Sequence, residues 1–180
     1  MEEINLKYPI GKFKAPYRVT TQDRERYIMD LEKLPGKLRT GVESLTEAQL
    51  DVPYRKHGWT VRQVVHHLSD SHLNSYIRFK LSLTENQPII KSYDEKAWAE
   101  LPDSQQGPVE FSLDLLESIH RRWVYLLRNM KESDWKKSFR HPETNKVIPL
   151  DLNLSLYSWH GKHHLAHIES LISRQGWQLT

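Results

Sequence analysis

The sequence predicts an all-α protein, a four-helix bundle forming one domain over residues 1–180. Three observations carry that expectation. Four long stretches repeat apolar residues at intervals of three and four, the signature of helices buried along one stripe. The second stretch opens on a capping signature, Thr60 with Gln63 three residues later. The last carries histidine where the others carry leucine. Long amphipathic helices in this number bury their stripes against one another.

Residues 1–19 contain Pro9, Gly11 and Pro16 and read as an irregular arm. Thr20 then caps a helix marked by Tyr27, Ile28, Leu31, Leu34 and Leu38 and continuing toward Val42. Pro35 is expected to bend or interrupt it. A short helical turn follows at Thr46 to Leu50, and Pro53 to Gly58 reads as a loop. After Thr60, the residues Val61, Val64, Val65, Leu68, His72, Tyr76 and Phe79 make one stripe running to about Leu83, with Trp59 and Val64 at the staple positions.

The connection from Thr84 to Pro108 is long, which points to function or a local subdomain. It holds one short helical segment, Asp94 to Trp98. A third long helix spans about Val109 to Met130 through Leu113, Leu116, Ile119, His120, Trp123 and Leu127. Ser138–Arg140 and Val147–Ile148–Pro149 flank a turn-rich segment and predict a small hairpin before the last helix. Asp151 is placed to cap that helix and Gly176 to end it.

Composition narrows the function classes. The net charge of +3 is dispersed, without the basic face that nucleic-acid binding requires. No stretch approaches the ~20 apolar residues of a membrane span, and the opening Met1 to Lys7 lacks the apolar core of a secretory signal. With no cysteine there is no disulfide and no thiolate ligand or nucleophile. These features point to a cytoplasmic protein that binds neither nucleic acid nor membrane, and any metal site must use His, Asp or Glu.

The histidines of the last helix are the strongest chemical signal. His160, His163, His164 and His167 fall within an arc of about 100°, shared with Asn153, Leu156, Tyr157 and Leu171. Ser155, Ser158, Lys162, Glu169 and Ser173 occupy the opposite, expectedly wet side. Buried imidazoles are costly unless each nitrogen finds a partner, and a metal ion serves a cluster well. The competing reading is a set of hydrogen-bonded core histidines.

Residues four apart stack on one helix face, so His160 with His164, or His163 with His167, can reach one ion. Spacing does not choose between the pairs. A catalytic zinc-type site commonly has three protein ligands and water, so a third ligand comes from His66, His67, Asp70, His72 or His120. His72 and His120 lie within apolar stripes and are most simply hydrogen-bonded core residues. His67 shares a polar ribbon with Ser71, Asn74 and Arg78, either a solvated face or the wall of a wet cleft. Arg78 lies roughly 16 Å further along the helix, too far to approach the ion but placed to bind an anionic part of a small-molecule substrate.

The run Gly58-Trp59-Thr60-Val61-Arg62-Gln63-Val64-Val65-His66-His67-Leu68-Ser69-Asp70, with the late His160-x-x-x-His164 pair, resembles the DinB-like superfamily of metal-binding four-helix bundles. The similarity is greatest to its YfiT branch. It extends through Tyr8-Pro9-Ile10-Gly11, Asn74 to Lys80 and Tyr93 to Trp98, so it covers nearly the whole chain. The resemblance implies His67, His160 and His164 as ligands of one divalent ion per chain, Zn2+ or Ni2+. His163 and His167 then lie behind the ligands or in the cleft. It further implies a homodimer.

Members of that branch are described as metal-dependent hydrolases, in which an ion with an open position activates water. Other relatives resemble transferases of low-molecular-weight thiols such as bacillithiol, where the ion would hold the thiolate. A non-catalytic metal-binding protein is the third class, and recruitment of His163 or Asp70 as a fourth ligand would mark it. Asp70 and His163 are also the residues to consider for general-base catalysis.

Overall fold

Helix α1 (Thr21–Val42) starts at the expected cap. The Thr20 hydroxyl accepts the Asp23 N–H, and the Asp23 carboxylate accepts the Thr20 N–H in return. The computed structural model describes residues 6–178, so the first five residues of the N-terminal arm and opening segment lie outside the described residues. Pro35 does not interrupt α1, which continues as one helix to Val42. Leu31, Leu34, Leu38 and Val42 are buried on both sides of the proline, so packing holds the helix together. The carbonyl that Pro35 cannot serve, that of Leu31, meets His120 Nδ1 at 2.6 Å.

The one-turn helix α2 (Glu47–Leu50) leads to α3 (Val61–Thr84), whose start has the reciprocal Thr60–Gln63 capping box. Buried Arg62 fixes this end: Nε donates to Asp51, Nη2 to Glu47 and Nη1 to the Gly107 carbonyl. The long connection contains α4 (Glu95–Ala99), as the sequence indicates, and α5 (Pro102–Gln106), which it did not reveal. Five residues are too few to display a period, although Pro102 suits a first helical turn.

Helix α6 (Val109–Arg128) is followed by a 3-10 turn, Glu132–Lys136, also not anticipated. Strands β1 (Ser138–Arg140) and β2 (Val147–Pro149) pair antiparallel with Phe139 opposite Ile148. The final helix α7 (Leu150–Gln175) begins directly after the hairpin. Pro149 occupies its cap position, so Asp151 does not cap the helix from outside. Its carboxylate instead accepts the Leu152 N–H within the first turn. Gly176, at φ 66°, ends the helix as expected, returning its N–H to the Ile172 and Ser173 carbonyls.

In cross-section α1 packs beside α6 and α7, and α3 packs beside the same two helices. The first two long helices are therefore diagonal, and the chain crosses the end of the bundle between them. Gly161 permits close approach of α7 to α1, since a Cβ there would lie 2.5 Å from Leu34 Cδ2. Ser155 and Ser158 are buried instead of solvated, because α1 covers that side of α7; Ser158 donates to Asp30 Oδ2 at 2.6 Å.

The core divides into two apolar clusters. One contains Leu34, Leu38, Val64, Leu68, Leu116 and Leu165; the other contains Leu31, Phe79, Trp123, Leu127, Phe139 and Leu154. His72, His120, His160 and His164 occupy the positions on α3, α6 and α7 where one cluster gives way to the other. No described helix is long and apolar enough to cross a membrane.

Candidate metal centre

The end of α3 fixed by Thr60 and Arg62 carries His67 less than two turns on, and α7 passes beside it. This brings one ring nitrogen from each of His67, His160 and His164 within 4.8 Å of the others. His67 Nε2 and His160 Nε2 are 3.2 Å apart. Two nitrogens bound to a tetrahedral zinc ion at 2.0–2.1 Å stand about 3.3 Å apart, so this spacing fits such an ion. His164 Nδ1 is buried without a hydrogen-bond partner, leaving part of that ring's bonding capacity unused.

Burial also sets the charge state. It pushes His67 down to about 4 and His160 and His164 well below the ordinary histidine value, with repulsion from neighbouring histidines adding to the effect at His160 and His164. The rings are neutral at pH 7 and present lone pairs, the state metal ligation needs. An all-imidazole donor set suits zinc or nickel.

The three rings form part of the wall of a cavity of about 830 Å³. Trp59 packs against His67 at 4.7 Å between ring centroids, and Trp159 stacks on His163 at 4.5 Å. The N-terminal arm closes one side: Lys7 and Tyr8 line the cavity, and His167 Nε2 donates to the Lys7 carbonyl at 3.1 Å. The arm shows no period that would place it against the cavity, and the resemblance carried by Tyr8–Gly11 assigned it no role there.

His163 and His167 line the cavity without belonging to the convergent group, and both have a buried Nδ1 with no partner. Asp70 does not line this cavity. It lies half-buried on α3, where burial and the Asp103 carboxylate raise it to about 6. His66 turns toward α6, with Nδ1 2.7 Å from Ser112 Oγ and Nε2 3.2 Å from the Gly107 carbonyl. His72 and His120 are buried and hydrogen-bonded to each other, Nδ1 to Nε2 at 2.9 Å.

A second cavity, of about 680 Å³, meets the first at His160 and is lined by Ser71, Arg78, Tyr93, His141 and Tyr157. The Arg78 guanidinium lies over the Phe139 ring at 6.0 Å, and its Nη1 is 3.5 Å from the Tyr157 hydroxyl. Its buried Nε has no partner, and no described carboxylate lies within ion-pair distance. Arg78 is not part of the three-histidine group, but it shares the wall of this second cavity with His160.

Comparison with known proteins places this arrangement. A family model described as the DinB superfamily matches residues 30–168. The chain belongs to the DinB superfamily. Among its relatives, "Putative metal-dependent hydrolase YfiT" of Bacillus subtilis (strain 168) is 52% identical over 177 residues, covering 98% of this chain and 99% of that protein. "Putative metal-dependent hydrolase OB0782" of Oceanobacillus iheyensis is 50% identical over 174 residues, covering 97% of this chain and 100% of the other. The solved structure of B. subtilis YfiT, described as "a probable metal-dependent hydrolase with an unusual four-helix bundle topology", superposes with a TM-score of 0.94. It is 52% identical, and the match covers 97% of this chain and 99% of that one. The diagonal placement of α1 and α3 gives the DinB bundle described here its departure from a simple up-and-down order.

Proposed function

We propose that this protein is a hydrolase of small anionic molecules that works with one divalent ion, zinc or nickel, held by His67, His160 and His164. The observation that carries the proposal is the convergence of three neutral imidazoles on the wall of an open cavity, with no fourth His, Asp or Glu in the group among the described residues. Three ligands leave a position for water or substrate, whereas structural sites are usually closed by four. When bound, such an ion supplies Lewis acidity and a water ionisable near neutral pH.

The remaining tasks fall to the chain. Trp59 packs against His67 and His164, and Trp159 against His163, giving the cavity an aromatic wall beside the histidines. Arg78, without a carboxylate partner, offers an anion a charge-assisted bond beside the Tyr93 and Tyr157 hydroxyls. His163, held near 4 by burial, is neutral at pH 7 and a weak base there, but it lines the cavity and its Nδ1 has no partner, so it is the group placed to take up a proton transiently. Asp70, outside the cavity lining, is the poorer placed of the two groups for that task.

The test uses zinc-loaded protein and a panel of small carboxylate- and phosphate-bearing esters and amides. Hydrolysis should rise with metal occupancy, and Arg78→Gln should raise KM about tenfold or more for anionic substrates with metal content unchanged, as loss of a charged hydrogen bond does. Cobalt-substituted protein supplies the opposing arm. A sulfur-to-metal charge-transfer band at low bacillithiol concentration, with thiol consumed by an electrophile, would replace hydrolysis by thiol transfer. A spectrum indifferent to thiols and anions would instead identify a closed, non-catalytic site.

A further inference from the structure

Pro35 is four residues after Leu31 in α1. In an α-helix the N–H of residue 35 would donate to the carbonyl of residue 31, but proline has no N–H. The freed carbonyl lies in the core, where an unpaired polar group is costly. His120, on the neighbouring α6, fills the vacancy with Nδ1 at 2.6 Å. From there the ring nitrogens continue as an unbroken chain. His120 Nε2 is 2.9 Å from His72 Nδ1, and His72 Nε2 is 3.2 Å from His160 Nδ1.

The direction of this chain is fixed at one end. A carbonyl oxygen can only accept, so His120 Nδ1 carries the proton. His120 Nε2 is then a lone pair and must accept, which places a proton on His72 Nδ1. His72 Nε2 must accept in turn, which places a proton on His160 Nδ1. The last free lone pair is His160 Nε2, the atom 3.2 Å from His67 Nε2. The opposite direction would set the His120 Nδ1 lone pair against the Leu31 oxygen. Doubly protonated rings are disfavoured, since His72 and His120 are 0% and 1% exposed and carry no carboxylate partner.

We infer that Pro35, through the Leu31 carbonyl, His120 and His72, holds His160 in the Nδ1–H tautomer that aims its Nε2 lone pair at the metal position. His72 and His120 are positioning residues; the Leu31 carbonyl sets the polarity of the relay, and Pro35 keeps that carbonyl free of a helical N–H. Partners that orient a ligating histidine are commonly worth 10–100-fold in affinity. This inference rests on the metal reading proposed above, but not on hydrolysis.

The experiment reads both tautomer and affinity. Long-range 1H–15N spectra of the metal-free protein should show His72, His120 and His160 protonated at Nδ1. Zn2+ affinity, by competition with a chromophoric chelator, should fall about 10–100-fold in His120→Leu, with His160 shifting toward Nε2–H. His120→Gln, able to donate to Leu31 and accept from His72, should recover most of the loss. Pro35→Ala returns a competing N–H to Leu31. It should raise the melting temperature, because alanine suits a helix interior, yet weaken Zn2+ binding.

Those opposite signs separate a relay from simple loss of stability. Nε2–H at His160 in the metal-free protein, or a folded His120→Leu with undiminished affinity, would overturn the relay. Unchanged tautomers and affinity in Pro35→Ala would overturn the role of the proline. A parent protein that takes up no Zn2+ would refute the metal reading before any variant is made, while the tautomers would still decide the relay.

Discussion

The two flanks of the histidine cluster differ in how their nitrogens are satisfied. On the core flank, His72 and His120 use both ring nitrogens, ending on a backbone carbonyl. On the cavity flank, His163, His164 and His167 each leave a buried Nδ1 without a partner. The packing around them differs too. Trp123 and Tyr157 stand edge-on against His72, whereas the cavity opens beside His163 and His167. A bundle could satisfy every imidazole, as its core flank does, so the open flank is where an ion, water or substrate gains most. His160 belongs to both flanks, with Nδ1 in the chain and Nε2 toward the cavity.

The largest expected effect is loss of the ion. His160→Ala and His164→Ala should each lower Zn2+ affinity at least about 100-fold, the upper end of what an outer partner costs. Metal analysis of the purified variants would read as near zero against about one ion per chain in the parent. Full occupancy in either variant would break the distinction between the flanks. His167→Ala, on the same helix face but outside the convergent group, should retain the ion.

The sequence disclosed the bundle better than it disclosed this division. The stripes through Leu31, Leu68, Leu116 and Leu171 locate four helices, and the Thr60–Gln63 box locates the start of α3 to the residue. The short α5 and the turn at Glu132–Lys136 have too few residues to show a period. Spacing alone could not choose between His160/His164 and His163/His167, because the choice depends on which face α3 approaches. The relay had visible parts, histidines within apolar stripes and a proline four residues after Leu31. Their connection required knowing that α1 and α6 are neighbours.

The next largest effect is on stability in acid. Burial lowers His67, His120, His163 and His167 to about 4, against about 6.5 in an unfolded chain. Between those values the unfolded chain binds more protons than the folded one. Stability therefore rises with pH across this window and is lost as pH falls through about 6.5, with the loss ending near 4. Each such histidine contributes at most about 1.4 kcal/mol per pH unit, so several acting together are a large fraction of a typical folding stability. The metal-free protein should show a melting temperature that drops steeply from pH 7 to 5.5. Saturating Zn2+ should raise the whole curve, since the ion binds the folded state. A melting temperature constant over this range would mean that the histidines on both flanks are less desolvated than their burial indicates.

The smallest effect distinguishes a residue beside the ion from one that holds it. His163 stacks on Trp159 and lies 5.1 Å from His164 between ring centroids, yet it is not in the convergent group. His163→Ala should keep about one ion per chain and lower affinity or turnover by roughly 10–100-fold, far less than loss of His160. His163→Gln would sharpen the reading, because it restores a hydrogen-bonding group without restoring an imidazole base. If His163 only supports its neighbours, the glutamine variant should recover both affinity and turnover. If it accepts a proton during the reaction, affinity should recover while kcat stays low and the acid limb of its pH profile changes. Loss of the ion in His163→Ala, with retention in His164→Ala, would exchange the two pairs on α7 and move the open flank one residue around the helix.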